Sequence, residues 1–153
     1  MKTVITLFLF LLFSNSISIK TEKIFIQSES PINGRLLIIE EDEHSVYAYV
    51  VREDRESIEF DGFLCSVTNP FDNNIDLEKY KESGYPPPLI EKYANEYSYV
   101  KNLKTEDVSI KWSENLAEIS IKGVKYLKMD LANKISYSKS LKTDCPYGKQ
   151  LTE

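Results

Sequence analysis

Histidine is almost absent from this chain: His44 is the only one among 153 residues, beside two cysteines, two methionines and one tryptophan. Zinc centres take three or four ligands of defined type, usually with more His or Cys, and one histidine in a hairpin turn does not supply them. Glycine is also scarce, at five residues, and neither a Gly-rich phosphate loop nor a Gly-x-Ser-x-Gly elbow occurs. No apolar run approaches the roughly 20 residues that a membrane-spanning helix needs. Basic residues are outnumbered, 19 against 24 acidic. Such a chain is a poor nucleic-acid binder, because phosphate contacts need clustered Lys and Arg. No Asn-x-Ser/Thr acceptor site exists for N-glycosylation.

What is present begins at the amino terminus. Lys2 is followed by an apolar stretch of ten residues, 4–13, and then by Ser14-Asn15-Ser16. Charge, apolar core and small residues, in that order, form a secretory signal peptide. We expect residues 1–18 to be removed, with cleavage after Ser16 or Ser18. The remaining protein is then exported, periplasmic or secreted, with no membrane insertion. In an exported chain, Cys65 and Cys145 are expected to form a disulfide that tethers the tail, residues 141–153, to the domain at residues 19–140. The alternative is a buried Cys65 and a loose Cys145.

The pattern along the domain is mostly β. Residues 36–39 are apolar and residues 46–52 are rich in Val and Tyr, which predicts a hairpin around the acidic turn at residues 40–44. A strand follows at residues 63–68, with Phe63, Cys65 and Val67 expected on one face. Asn69 and Pro70 end it, and a polar, proline-containing loop runs to residue 88. Leu89, Ile90, Tyr93, Ala94, Tyr97 and Val100 recur at helical spacing, which predicts one helix over residues 88–100. Half-polar strands then alternate at residues 108–112, 117–121 and 124–131, with a short edge strand at 135–138. The expected fold is α+β: a mostly antiparallel sheet of six to eight strands, curled or sandwich-like, with one helix packed on it.

Each candidate for chemistry has a plainer counterpart. His44 could be a metal ligand or general base, but it lies in a charged hairpin turn. Cys65 with His44 could be a nucleophile–base pair, but Cys65 falls mid-strand in an apolar pattern. Asp72, Asn74 and Asp76 alternate as in a calcium loop, yet Leu77 and Ser83 stand where an EF-hand needs Gly and Glu. No catalytic residue, metal or cofactor is assigned. Trp112 alternates with Val108 and Ile110, as a core residue would. Tyrosines carry more weight: Tyr80, Tyr85, Tyr93, Tyr97 and Tyr99 surround Pro86-Pro87-Pro88, and tyrosine is enriched at interfaces.

The stretch Ile110-Lys111-Trp112-Ser113-Glu114-Asn115-Leu116-Ala117-Glu118-Ile119-Ser120-Ile121-Lys122-Gly123 resembles a pattern of small uncharacterised bacterial domains. There one strand ends in Trp-Ser, an acidic turn follows, and a second strand ends in Gly. Pro87-Pro88-Leu89, Lys92-Tyr93-Ala94 and Tyr47-Ala48-Tyr49 fit the same pattern, so the resemblance spans residues 36–139. It implies an immunity-type or toxin-neutralising partner and no chemistry. The expected function is a non-catalytic binding protein that occludes a protein partner, one of basic charge. Glu41, Asp42, Glu43, Asp72, Tyr80 and Tyr85 are the expected contact residues. The alternative is an envelope or surface structural protein that binds glycan or peptidoglycan.

Overall fold

The computed structural model describes residues 22–72, 76–84 and 86–153. The signal-peptide reading at residues 1–18 lies outside the described residues, and so does Tyr85. Nine strands form two sheets. The first sheet is an antiparallel meander of β1 (Phe25–Glu29), β2 (Leu36–Glu41), β3 (Ser45–Val51) and β4 (Ile58–Ser66). The second runs through β5 (Val108–Trp112), β6 (Leu116–Ile121), β7 (Val124–Asp130), β8 (Ile135–Ser138) and β9 (Lys149–Gln150). All pairings are antiparallel except β8 with β9. Among the described residues one α-helix, α1 (Leu77–Ser83), completes an α+β fold.

Alternation explains which faces meet. Leu37, Ile39, Val46, Ala48 and Val50 of the first sheet share one buried core with Ala117, Ile119, Leu127 and Met129 of the second. Period-two apolar strands bury one face each, and two such sheets close on one another. Gly62 allows the closest approach: a Cβ there would lie 2.9 Å from the Ser136 Cβ and 3.0 Å from a Leu127 methyl. Trp112 also packs against this core, and its indole N–H donates to the Ser28 hydroxyl at 2.9 Å, bridging β5 to β1.

Three sequence expectations are corrected. First, Phe63 and Cys65 do not share a face. The pairing shifts between Val46–Cys65 and Tyr47–Phe63, leaving Leu64 as a bulged extra residue. The bulge sends Leu64 and Cys65 into the inter-sheet core and Phe63 to the opposite face, beside Tyr47. Secondly, no disulfide joins Cys65 to Cys145. Cys65 is buried between the sheets, whereas Cys145 packs against the separate cluster that contains Phe63 and Leu141. The sheet itself separates the two sulfurs.

Thirdly, residues 88–100 do not form a helix, and α1 occupies part of the expected loop. Only a 3-10 turn at Glu91–Tyr93 interrupts an otherwise extended strap. Its backbone groups bond elsewhere: Val100 N–H donates to Ser66 C=O, the Ser66 N–H donates to Ser98 C=O, and the Lys142 N–H donates to Tyr93 C=O. The Asn95 side chain accepts from Tyr97 N–H and donates to Lys139 C=O. Local Asn and Ser bonds of this kind compete with helix formation. The strap therefore continues the edge of β4 and covers Phe63 with Leu89 and Ala94.

Candidate functional site

The outer face of the first sheet is aromatic and acidic. Cross-strand pairing places Glu40 beside Tyr47 and Tyr47 beside Phe63; the next row sets Ile38 beside Tyr49 and Tyr49 beside Asp61. Tyr47 and Tyr49 stack at 6.1 Å between ring centroids, and Tyr47 meets Phe63 edge-on at 5.5 Å. Phe63 continues to Tyr147 at 5.7 Å, and Tyr147 to Tyr93 at 6.1 Å. Five rings thus form one continuous ladder, with Phe63 meeting both Tyr47 and Tyr147 in the edge-on geometry that aromatic quadrupoles prefer.

The tail is built into this wall. The Tyr147 hydroxyl donates to the Pro88 carbonyl at 2.9 Å, which ties residues 145–148 to the strap. Between tail, strap, α1 and the sheet face lies a groove of about 680 Å³, within the range of ligand clefts. Tyr47, Tyr49, Asp61, Pro87, Tyr93 and Tyr147 are among its lining.

Burial and charge tune its polar atoms. The Tyr49 phenol is pushed up to about 12, first by burial and then by the negative charges of Glu40, Asp42 and Asp61. Tyr147 is pushed up to about 12 as well, mainly by burial. Tyr47 rises further, again from burial first and the Asp42 charge second. All three are neutral phenols at physiological pH. Burial also raises the Asp61 carboxyl. Desolvation disfavours the charged form in each case.

On the other side of Tyr80, which lines the groove and two neighbouring clefts, stands His44. The Tyr80 hydroxyl lies 2.7 Å from His44 Nε2, and the Thr68 hydroxyl lies 3.5 Å from Nδ1. The ring is held by its backbone too, because His44 C=O accepts from the N–H groups of Val67 and Thr68. Asp42 shapes the turn by accepting from His44 N–H and Ser45 N–H at 2.8 and 2.7 Å. In α1, Asp76 caps the first turn by accepting from Glu78 N–H, and Gly84 ends the helix in the left-handed region at φ 71°.

Four of the six expected contact residues gather here. Asp42, Glu43 and Tyr80 line one cleft around His44, and Asp72 and Tyr80 line its neighbour. Glu41 is drawn away: its carboxylate accepts from Ile24 N–H at 2.9 Å and secures the start of β1. Among the described residues no cluster of three His, Cys, Asp or Glu is arranged to hold a metal ion. No helix among them is long and apolar enough to cross a membrane.

The groove-forming residues Tyr47, Tyr49 and Tyr147 escape a reading by sequence windows. Alternation marks Tyr47 and Tyr49 as one strand face, but only the β4 bulge and the returning tail turn that face into a wall. In comparisons with protein-family models, curated proteins and solved structures, nothing matches this chain.

Proposed function

We propose that this is an exported, non-catalytic binding protein that receives an exposed segment of a protein partner in the tyrosine-lined groove, as an immunity or inhibitor protein would. The single observation that carries the reading is the set of tyrosine rings, Tyr47, Tyr49, Tyr93 and Tyr147, that line a groove of about 680 Å³ and are linked through the buried Phe63. Phenol rings supply large, rigid contact area with a polar tip, the profile of interface anchors. The acidic rim at Asp42, Glu43 and Asp72 would steer a basic partner and mainly raise its association rate. Export is supported by the charge, apolar run and small residues at positions 2–16.

The stacked pair Tyr47–Tyr49 also suits a sugar ring, which keeps an envelope or surface glycan as the second reading. The test is affinity capture from the native host's envelope and medium, with residues 19–153 as bait and Tyr49→Leu as control. The expected result is one stoichiometric protein that Tyr49→Leu loses. Retention of wall or glycan material in its place would favour the second reading. Capture that is indifferent to Tyr49→Leu would overturn the groove as the binding site.

A further inference from the structure

We infer that the groove seats a cationic side chain, an arginine or lysine of the partner segment, against the Tyr47–Tyr49 stack with its charge on Asp61. The inference rests on the binding reading above and names the chemistry of its ligand. Three observations meet at this point.

The first is an uncompensated charge. Asp61 stands directly opposite Tyr49 on the same sheet face. Among the described residues, no Lys, Arg or His forms an ion pair with Asp61, Glu40 or Asp42. All three carboxylates nonetheless act on the Tyr49 phenol. The groove's own cation, Lys81, is engaged by Glu78 at 2.6 Å.

The second is the aromatic wall. The face of a tyrosine ring attracts cations, more strongly where water is displaced. The same wall already holds one cation in this way: the Lys92 ammonium lies 5.4 Å from the centroid of Tyr93. The third is open hydrogen-bonding capacity. The Tyr147 hydroxyl is occupied by Pro88, but the hydroxyls of Tyr47 and Tyr49 bond to no described residue. Two phenol oxygens and a carboxylate on one face can accept from the five N–H donors of a guanidinium. A neutral sugar would leave the charge on Asp61 unbalanced.

The test uses two synthetic probes, acetyl-Gly-Arg-Gly-amide and its citrulline counterpart, which keeps the shape and removes the charge. Binding is followed by chemical shifts of the tyrosine rings. We expect saturable shifts of Tyr47 and Tyr49 with the arginine probe and roughly fivefold weaker binding of citrulline. Asp61→Asn should erase that difference while leaving the circular dichroism of the chain unchanged. Equal affinity for the two probes, or an arginine preference that survives Asp61→Asn, would overturn the inference. Saturable binding of chitotriose with neither tripeptide bound would overturn it in favour of a glycan. Capture of the protein partner separates the two levels. If capture is lost with Tyr49→Leu but kept with Asp61→Asn, the groove stands and the cationic ligand falls. If neither substitution affects capture, both fall.

Discussion

The hydroxyl of Tyr80 lies 2.7 Å from Nε2 of His44, and the two rings meet edge-on with their centroids 5.4 Å apart. This contact joins α1 to the β2–β3 hairpin. None of the residues of α1 is buried, so the helix has little apolar area to hold it in place. The single histidine of the chain is thus the dock for α1. Tyr80→Phe keeps the ring contact and removes the hydrogen bond. It should cost about 1 kcal/mol at most in global stability. Its larger effect should be local, as faster amide hydrogen exchange across Leu77–Ser83 with the sheets unchanged.

Gly62 marks the tightest passage between the sheets. A methyl group there would meet the Ser136 Cβ at 2.9 Å, an atom anchored to the backbone of β8, so a rotamer change does not relieve the clash. Gly62→Ala should destabilise the protein by about 1–3 kcal/mol, the usual cost of overpacking. Urea unfolding would measure it as a lower midpoint at an unchanged slope.

Two buried serines stitch the strap and the tail onto the first sheet. The Ser140 hydroxyl donates to Leu64 C=O at 2.6 Å, and the Ser98 hydroxyl donates to Ser140 C=O at 2.6 Å. Either serine changed to alanine leaves a buried carbonyl short of a donor, at a cost of about 1–3 kcal/mol. Because the two bonds share Ser140, the double variant should lose less than the sum of the single losses. Chemical denaturation of the four-member cycle would show the difference.

The groove tyrosines make stability fall at alkaline pH. A phenol whose folded-state pKa is raised contributes stability that is fully present below its unfolded value and is lost as pH climbs through the folded value. For Tyr49 and Tyr147 that window runs from the unfolded value near 10 up to about 12. Near-ultraviolet absorbance should show several of the ten tyrosines ionising late, together with unfolding. Tyr49→Phe should remove one late phenol and flatten the fall.

Asp61 lines the groove directly opposite Tyr49. Burial raises its carboxyl, so its stabilising effect is present at low pH and is lost as pH rises through its titration. At neutral pH the ionised group is a net cost, and Asp61→Asn should leave stability unchanged or slightly higher. Thermal unfolding at neutral pH would register a drop if the carboxylate were instead structural.

The strands were legible because their side chains repeat with period two, a property of single short segments. Val108, Ile110 and Trp112 show it, as do Ala117, Ile119 and Ile121, and these strands pair as that alternation implies. The helix was misplaced because the spacing of Leu89, Tyr93 and Tyr97 imitates a helical stripe. The same residues instead fill gaps along an extended strap whose hydrogen-bond partners, Ser66 and Lys142, are distant in sequence. The acidic turn and Tyr80 stand out as expected contact residues by charge and residue type alone. Their meeting point, His44, reads as an ordinary turn residue until α1 folds back over it.

Local composition and periodicity determined the β-rich α+β class, the acidic balance and the alternating faces, since each depends on residues within one or two turns of chain. Tertiary structure alone decided which face became the wall of a groove. The bulge at Leu64 turns Phe63 outward to Tyr47, and Tyr147 returns from far along the chain to close the ladder. Long-range pairings of that kind depend on how two sheets, a strap and a tail share one set of backbone donors and acceptors, which no short window of sequence contains.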